Sequence, residues 1–170
     1  MKISMTIALL LAVVMTVSGC GASGLMIIKS TPIGIEEVSV IQVNEIKSDV
    51  YIPEKACEQI RDIVINKLEK TSAFKSVSKN SGKIVLDIKI ISFDGGDQFA
   101  RWFFGGIGDF GEGKIILETA YSNVASKNEI GKIRTEGSIK FGLFGGSVKT
   151  AYSNAVDEIV RYTVDHFGNR

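Results

Sequence analysis

The sequence predicts an α+β protein, a single two-layer sandwich in which a mostly antiparallel sheet carries two helices on one face. Apolar and polar residues alternate along residues 83–93, 114–123 and 131–141, which is the period of a half-buried strand. Residues 54–70 and 147–167 instead repeat apolar residues at helical spacing, so each forms one apolar helix face. Two such faces can cover the dry side of one sheet while its other side stays wet.

The remaining elements follow from local signals taken in chain order. Residues 38–46 are rich in Val and Ile and predict a first strand. Pro53 opens the first helix, residues 74–77 predict a short strand, and Ser147 caps the second helix after a glycine loop at 142–146. The predicted apolar helix faces comprise Ala56, Ile60, Ile63, Val64 and Leu68 in the first helix, and Val148, Tyr152, Ala155, Val156, Ile159, Thr163 and Phe167 in the second.

The first 19 residues have the organisation of a secretory signal: a basic start, a short apolar run and small residues before Cys20. The run is shorter than the roughly 20 residues that a transmembrane helix needs. Residues 17–20 resemble the bacterial lipobox, and that resemblance implies a diacylglycerol on the sulfur of Cys20 and an acyl chain such as palmitate on its amine. An ordinary signal peptide and an uncleaved anchor are the alternatives. We therefore predict a lipoprotein signal peptide at 1–19, a lipid-anchored tether at 20–34 and one α+β domain at 35–170.

Two details refine this prediction. Gly21 follows the predicted lipidated cysteine, which resembles proteins sent to the outer membrane, so we expect a cell-envelope protein on the periplasmic face of that membrane. Within the tether, residues 25–28 are four consecutive apolar residues. They could form an early edge strand or lie near the membrane surface.

Charge excludes some classes of partner. The chain has 20 Lys and Arg against 19 Asp and Glu, and removal of residues 1–19 takes away only Lys2, which leaves a neutral chain. Nucleic-acid-binding proteins usually carry a basic excess, so no nucleic-acid partner is expected.

The glycine-rich segment between two predicted strands, residues 93–114, resembles phosphate-binding motifs in its glycine spacing but not in the element that follows it. Residues 106–111 match the glycine spacing of the dinucleotide fingerprint, and residues 108–114 match most of a P-loop. Both motifs need a helix N-terminus to meet the phosphate, and here a strand follows. No nucleotide or other cofactor is therefore predicted.

The residue types and spacings that metal and catalytic sites need are not evident in the sequence. Four carboxylates flank or interrupt this segment, but their spacing does not match an EF-hand. The chain has one histidine, and Cys57 lies on a predicted helix with no cysteine partner if Cys20 is lipidated. We predict no metal and no enzymatic activity, although a carboxylate enzyme using Asp94, Asp97, Asp109 and Glu112 stays open as an alternative.

The same segment carries a run of aromatic residues beside an arginine. Such residues plug the end of a core, dominate protein interfaces or lie at the bilayer interface, and all three interpretations stay open. The candidate partner-binding residues are Arg101, Trp102, Phe103, Phe104, Phe110 and Phe144.

The chain resembles a family of bacterial lipoproteins known only as a domain of unknown function. The matching features are the lipobox, Gly95-Gly96, Ala100-Arg101-Trp102, the glycines from 106 to 113 with Lys114, and Phe144-Gly145-Gly146. That resemblance covers most of the mature chain. It implies an envelope location and an α/β fold, and no established activity.

These observations predict a lipid-anchored cell-envelope protein with a binding or assembly role. Its expected partners are the membrane, through the lipid on Cys20, and either an envelope protein or further copies of the same chain. A small-ligand sensor is the second alternative, and it requires an enclosed apolar cavity beneath the sheet.

Overall fold

The computed structural model describes residues 23–31, 38–52, 55–94, 112–140 and 148–168. They form seven strands and two helices in the order βββαββββα. The strands are β1 (Ser23–Lys29), β2 (Val40–Val43), β3 (Lys47–Ser48), β4 (Ser76–Ser78), β5 (Ile84–Asp94), β6 (Glu112–Asn123) and β7 (Glu129–Lys140), and the helices are α1 (Ala56–Lys70) and α2 (Val148–Phe167).

All seven strands belong to one sheet, in the order β1-β7-β6-β5-β2-β4, with β3 pairing with β5. The pairs β5–β6, β6–β7 and β1–β7 are antiparallel and long. The short strands β2, β3 and β4 pair in parallel, and α1 lies on the crossover that returns the chain from β3 to β4. The structure confirms the predicted α+β sandwich and adds a parallel half that the sequence analysis did not predict.

Both helices pack on the same face of the sheet, and α2 covers the antiparallel half. The core is built by the inward residues of the strands together with the predicted helix faces. Ala56, Ile60, Val64 and Leu68 of α1 are buried, as expected, whereas Ile63 is only partly buried. Lys67 joins the helices by donating to Ser153 Oγ at 2.7 Å and pairing with Asp157.

Glycine allows α2 to lie unusually close to β7. A Cβ atom built on Gly137 would lie 2.1 Å from the carbonyl oxygen of Ala151 and 2.5 Å from the amide nitrogen of Ala155. Both contacts are with helix backbone, so no side-chain rotation could relieve them. Gly137 with Ala151 and Ala155 therefore sets the distance between the helix and the sheet.

The segment that the sequence left open, residues 25–28, lies in strand β1. This strand pairs with β7 from Ser23 opposite Gly137 to Lys29 opposite Lys132, with an irregularity between Ile27 and Lys29. Part of the predicted tether is thus an edge strand of the sheet, beginning at Ser23.

Candidate functional site

The residues that the sequence singled out for partner binding lie outside the described residues, and so does the predicted lipidated cysteine. The elements that flank the two glycine-rich segments are described, as is the strand that follows Cys20. The ends of the strands show where each segment meets the sheet. The residues concerned are Cys20, Arg101, Trp102, Phe103, Phe104, Phe110 and Phe144.

The strands that flank these segments end together. Ser23, at the start of β1, lies opposite Gly137 near the end of β7. Asp94, at the end of β5, lies opposite Lys114, and Glu112, at the start of β6, lies opposite Lys140. The chain to Cys20 and both glycine-rich segments therefore begin or end at one end of the sheet, here called the tether end.

An aromatic pair closes the core near the tether end. The ring of Phe93 lies 6.2 Å from the ring of Tyr152, between centroids, at an angle of 49°. Tyr152 is buried, and that burial raises the pKa of its phenol to about 12, with a smaller contribution from Cys57. Neutral aromatic side chains therefore form the part of the core next to the tether end.

Strand β1 exposes apolar side chains on both faces at the edge of the sheet. Met26, Ile27 and Ile28 are 60%, 53% and 45% exposed. Within the described part of the chain, β1 pairs only with β7, so its other edge is open. An open apolar edge is a template for pairing with another strand, and proteins usually protect it with charges, bulges or short length. Among the described residues of β1, Lys29 and the irregularity beside it give such protection.

The opposite edge of the sheet, strand β4, has a different character. It is three residues long, with exposed Ser76 and partly buried Val77 and Ser78. Val77 faces the core, since it lies opposite buried Ile41 and packs against the core cluster. The two edges therefore differ in length and polarity.

The outer face of the sheet is covered by paired charges. Glu118 of β6 accepts from Lys132 Nζ at 2.7 Å and from Arg134 Nη2 at 2.9 Å. The hydrogen bond from Lys132 is the main reason why the pKa of the Glu118 carboxyl is lowered. Lys114 and Glu136 form a further pair at 2.7 Å. This face is wet, as the alternating pattern predicts, and these five charged side chains are engaged in ion pairs.

A cavity of about 320 Å³ lies between β2, α1 and the residues after β4, lined by Glu45, Ile46, Cys57, Glu58, Arg61 and Lys79. Arg61 is held by the backbone, donating to Val43 O through Nε at 3.2 Å and Nη2 at 2.7 Å. Burial raises the pKa of the partly buried Cys57 thiol, which opposes the thiolate form that a nucleophile needs. The cavity is half-open and four of its six lining side chains are charged, so it is not the enclosed apolar cavity that a ligand sensor requires.

The carboxylates proposed for an enzyme are not brought together by any described contact. Asp94 is exposed at the tether end, Asp97 and Asp109 lie outside the described residues, and Glu112 is described only in its backbone. Among the described residues, no three His, Cys, Asp or Glu side chains are grouped closely enough to hold a metal. In the same residues, no helix is long and apolar enough to cross a membrane.

A known family matches most of this chain. Residues 26–142, more than half of the chain, match the family model described as Domain of unknown function (DUF4410). The chain belongs to this family. The match begins within β1 and ends just beyond β7, so it includes the apolar edge and both flanks of the first glycine-rich segment. A comparison with curated protein sequences gave no match.

Solved structures share the DUF4410 protein's fold at low sequence identity. A PelC dodecamer from Paraburkholderia phytofirmans has a TM-score of 0.56 at 14% identity, covering 89% of this chain and 100% of that one. A PelC variant, also a dodecamer, gives 0.56 at 15% identity with the same coverage. A Xanthomonas campestris protein of the family DUF330 gives 0.50 at 11% identity, covering 82% of this chain and 89% of its own. These likenesses support the α+β fold.

The sequence shows the apolar residues of β1 but does not decide between an edge strand and a membrane contact. The signal was a run of four apolar residues between polar neighbours. Such a run fits a buried strand, an edge strand and a membrane contact equally well. Only the pairing with β7 shows which side of the run is open.

Proposed function

We propose that this chain is a lipid-anchored bacterial cell-envelope protein with a non-catalytic assembly role, held through Cys20 on the periplasmic face of the outer membrane. The observation that carries the proposal is the position of β1. This open apolar strand begins at Ser23, three residues after the predicted lipidated cysteine, at the end of the sheet where both glycine-rich segments also begin or end.

The length of the tether decides how the domain is oriented. An extended chain spans at most about 3.6 Å per residue, so three residues separate Cys20 from Ser23 by no more than about 11 Å. Two or more acyl chains on Cys20 would hold that residue firmly at the bilayer surface. The tether end then faces the membrane, and the opposite end of the sheet points away from it.

Assembly into a homo-oligomer is the second part of the proposal. PelC, which has a similar fold, is described as a dodecamer, and this supports the same kind of assembly here. An open edge strand with three exposed apolar side chains provides a surface for it. The candidate residues Trp102 and Phe104 would serve contacts at the membrane-facing end.

Lipidation is tested by Cys20→Ala in cells that express the full chain. We expect wild-type protein to incorporate an alkyne-tagged palmitate and to sediment with the outer membrane, and the variant to lose both properties. Cys57→Ala is the matched control, because it removes the other cysteine and should retain both. Label incorporation by Cys20→Ala, or an unlabelled wild type, contradicts the anchor.

The role of the aromatic residues is tested separately with Trp102→Ser and Phe104→Ser. We expect the purified variants to keep the wild-type midpoint of thermal unfolding and to lose envelope partners in cross-linking of intact cells. A large fall in the unfolding midpoint would place these side chains in the core and overturn their assignment as contacts.

A further inference from the structure

We infer that strand β1 of one copy pairs with strand β4 of the next copy, in an antiparallel manner, so that the sheets of neighbouring subunits are continuous. This inference rests on the proposed anchored homo-oligomer and names the two surfaces that build it. Its basis is the order and direction of the strands together with the side on which their apolar residues lie.

Anchoring restricts the symmetry of the assembly. If every copy is tethered to the same bilayer by about 11 Å of chain, all tether ends must point in one direction. Rotation about an axis normal to the membrane preserves that direction, whereas a two-fold axis in the membrane plane reverses it. Cyclic symmetry about such an axis meets the requirement. In a ring of three or more copies the contacts are heterologous, joining two different surfaces of the chain.

Antiparallel pairing of β1 with β1 of a second copy does not meet this requirement. It would direct the two tether ends oppositely. The seven residues of β1 span about 23 Å at 3.3 Å per residue. That distance is about twice the reach of the tether, so one of the two anchors could not meet the bilayer.

The opposite edge has the right direction. From β1 to β4 the sheet order passes three antiparallel pairs and then two parallel pairs, so β1 runs antiparallel to β4 within one chain. A neighbour related by rotation about an axis along the strands keeps its strand directions. Its β4 then meets β1 as an antiparallel strand.

The faces of the two edges also agree. Ile27 lies opposite Ile133 on the inner, helix-covered side of the sheet, and Val77 lies opposite Ile41 on the same side. Opposed residues of an antiparallel pair point to the same face. With Ile27 opposite Val77 of the next copy, two apolar side chains meet, Met26 meets Ser78, and both helix layers stay on one side.

The test uses disulfide formation in membranes that contain the full lipidated chain in a Cys57→Ala background. One copy carries Ile27→Cys and a differently tagged copy carries Val77→Cys, and the membranes are oxidised with copper phenanthroline. We expect a cross-linked dimer that contains both tags. A chain carrying both substitutions should give a ladder of higher oligomers.

Membranes that contain only the Ile27→Cys chain or only the Val77→Cys chain distinguish the β1–β4 contact from a contact between two copies of the same strand. Neither should cross-link by itself, and a dimer from Ile27→Cys alone would overturn the inference in favour of a two-fold β1 contact. Val124→Cys, exposed in the β6–β7 turn, is the matched control and should not cross-link with Ile27→Cys. If wild type is oligomeric but the mixed pair gives no dimer, the β1–β4 contact is wrong. If wild type is a single chain, the proposed oligomer itself fails.

Discussion

Strand β7 presents two faces with different neighbours. On its inner face Ile133, Thr135 and Gly137 are buried, and Gly137 lies against the backbone of α2. On its outer face Lys132 and Arg134 form ion pairs with Glu118 and are partly exposed. Close packing limits which side chains the inner face can accept, since added atoms would meet helix backbone. Ion pairs dominate the outer face, where long side chains can adjust their conformation.

The difference shows where a partner can bind. The inner face is occupied by the helices, and charged side chains of the outer face are already engaged in ion pairs. The open apolar surface lies at the edge, on Met26, Ile27 and Ile28 of β1. Substitutions that add atoms to the inner face should therefore cost stability. Those on the outer face should cost little stability, and those at the edge should weaken assembly.

The largest effect is expected where the helix meets the sheet. Gly137→Ala places a methyl group 2.1 Å from Ala151 O, so α2 must move, and we expect a loss of about 3 kcal/mol in the free energy of unfolding. Gly24→Ala is the matched control, since its nearest contact would be an ordinary 3.7 Å to Glu136 Cβ. Urea denaturation measures both. Equal losses would show that the helix does not lie as close as described.

Two buried threonine hydroxyl groups, one on β7 and one on α2, should change the free energy of unfolding in opposite directions when they are removed. Thr135 Oγ1 is buried without a hydrogen-bond partner among the described residues, so Thr135→Val should raise the free energy of unfolding by about 1 kcal/mol. Thr163 Oγ1 instead bonds Ile159 O at 2.6 Å and Tyr121 Oη at 3.1 Å, so Thr163→Val should lower it by about 1 to 2 kcal/mol. Thermal unfolding distinguishes them, and equal signs would contradict the hydrogen-bond assignment.

The outer face should respond to pH and only weakly to substitution. Glu118→Gln should lower the free energy of unfolding by about 1 kcal/mol at neutral pH, because one carboxylate pairs two cations. The pKa of Glu118 in the folded protein is below its ordinary 4.5, so this contribution is present above pH 4.5 and is lost as pH falls below it.

A matched control on the same face is Glu136→Gln, which removes one exposed pair with Lys114 and should cost less. Urea denaturation between about pH 3 and pH 7, which includes the range where carboxylates titrate, measures the loss in the free energy of unfolding for both variants. A difference between wild type and Glu118→Gln that grew on acidification would contradict the ion-pair account.

At the edge the expected effect on stability is smallest. Met26 is 60% exposed, so Met26→Lys should change the free energy of unfolding by no more than about 0.5 kcal/mol. Thermal unfolding at low protein concentration checks this. A loss of several kcal/mol would mean that the side chain belongs to the core and would remove the edge from consideration as an interface.

The sequence predicts the antiparallel half well because its strands are long enough for alternation to show. Along β7, Ile133 and Thr135 against Lys132 and Arg134 already identify the inner and outer faces. The parallel pairing of β2 and β4 could not be predicted, since four and three residues carry little periodicity and their neighbours depend on where α1 packs.

The candidate site was predicted only in part. Gly137 fits the alternating pattern as a strand residue, but the need for glycine arises from the approach of α2, which lies far along the chain. The apolar run of β1 was visible, whereas its open edge follows from pairing with β7 more than 100 residues later. The roles of Cys20 and the aromatic residues at 101–104 stay predictions, because they lie outside the described residues.

Native mass spectrometry of the lipidated chain, extracted from membranes in detergent, tests the central claim most directly. We predict a closed assembly whose mass is a whole multiple of the acylated chain, and a shift to single chains with Ile27→Lys but not with Val124→Lys. A wild-type mass of one chain, or an assembly unchanged by Ile27→Lys, would contradict the claim that the β1 edge next to the lipid anchor builds the assembly.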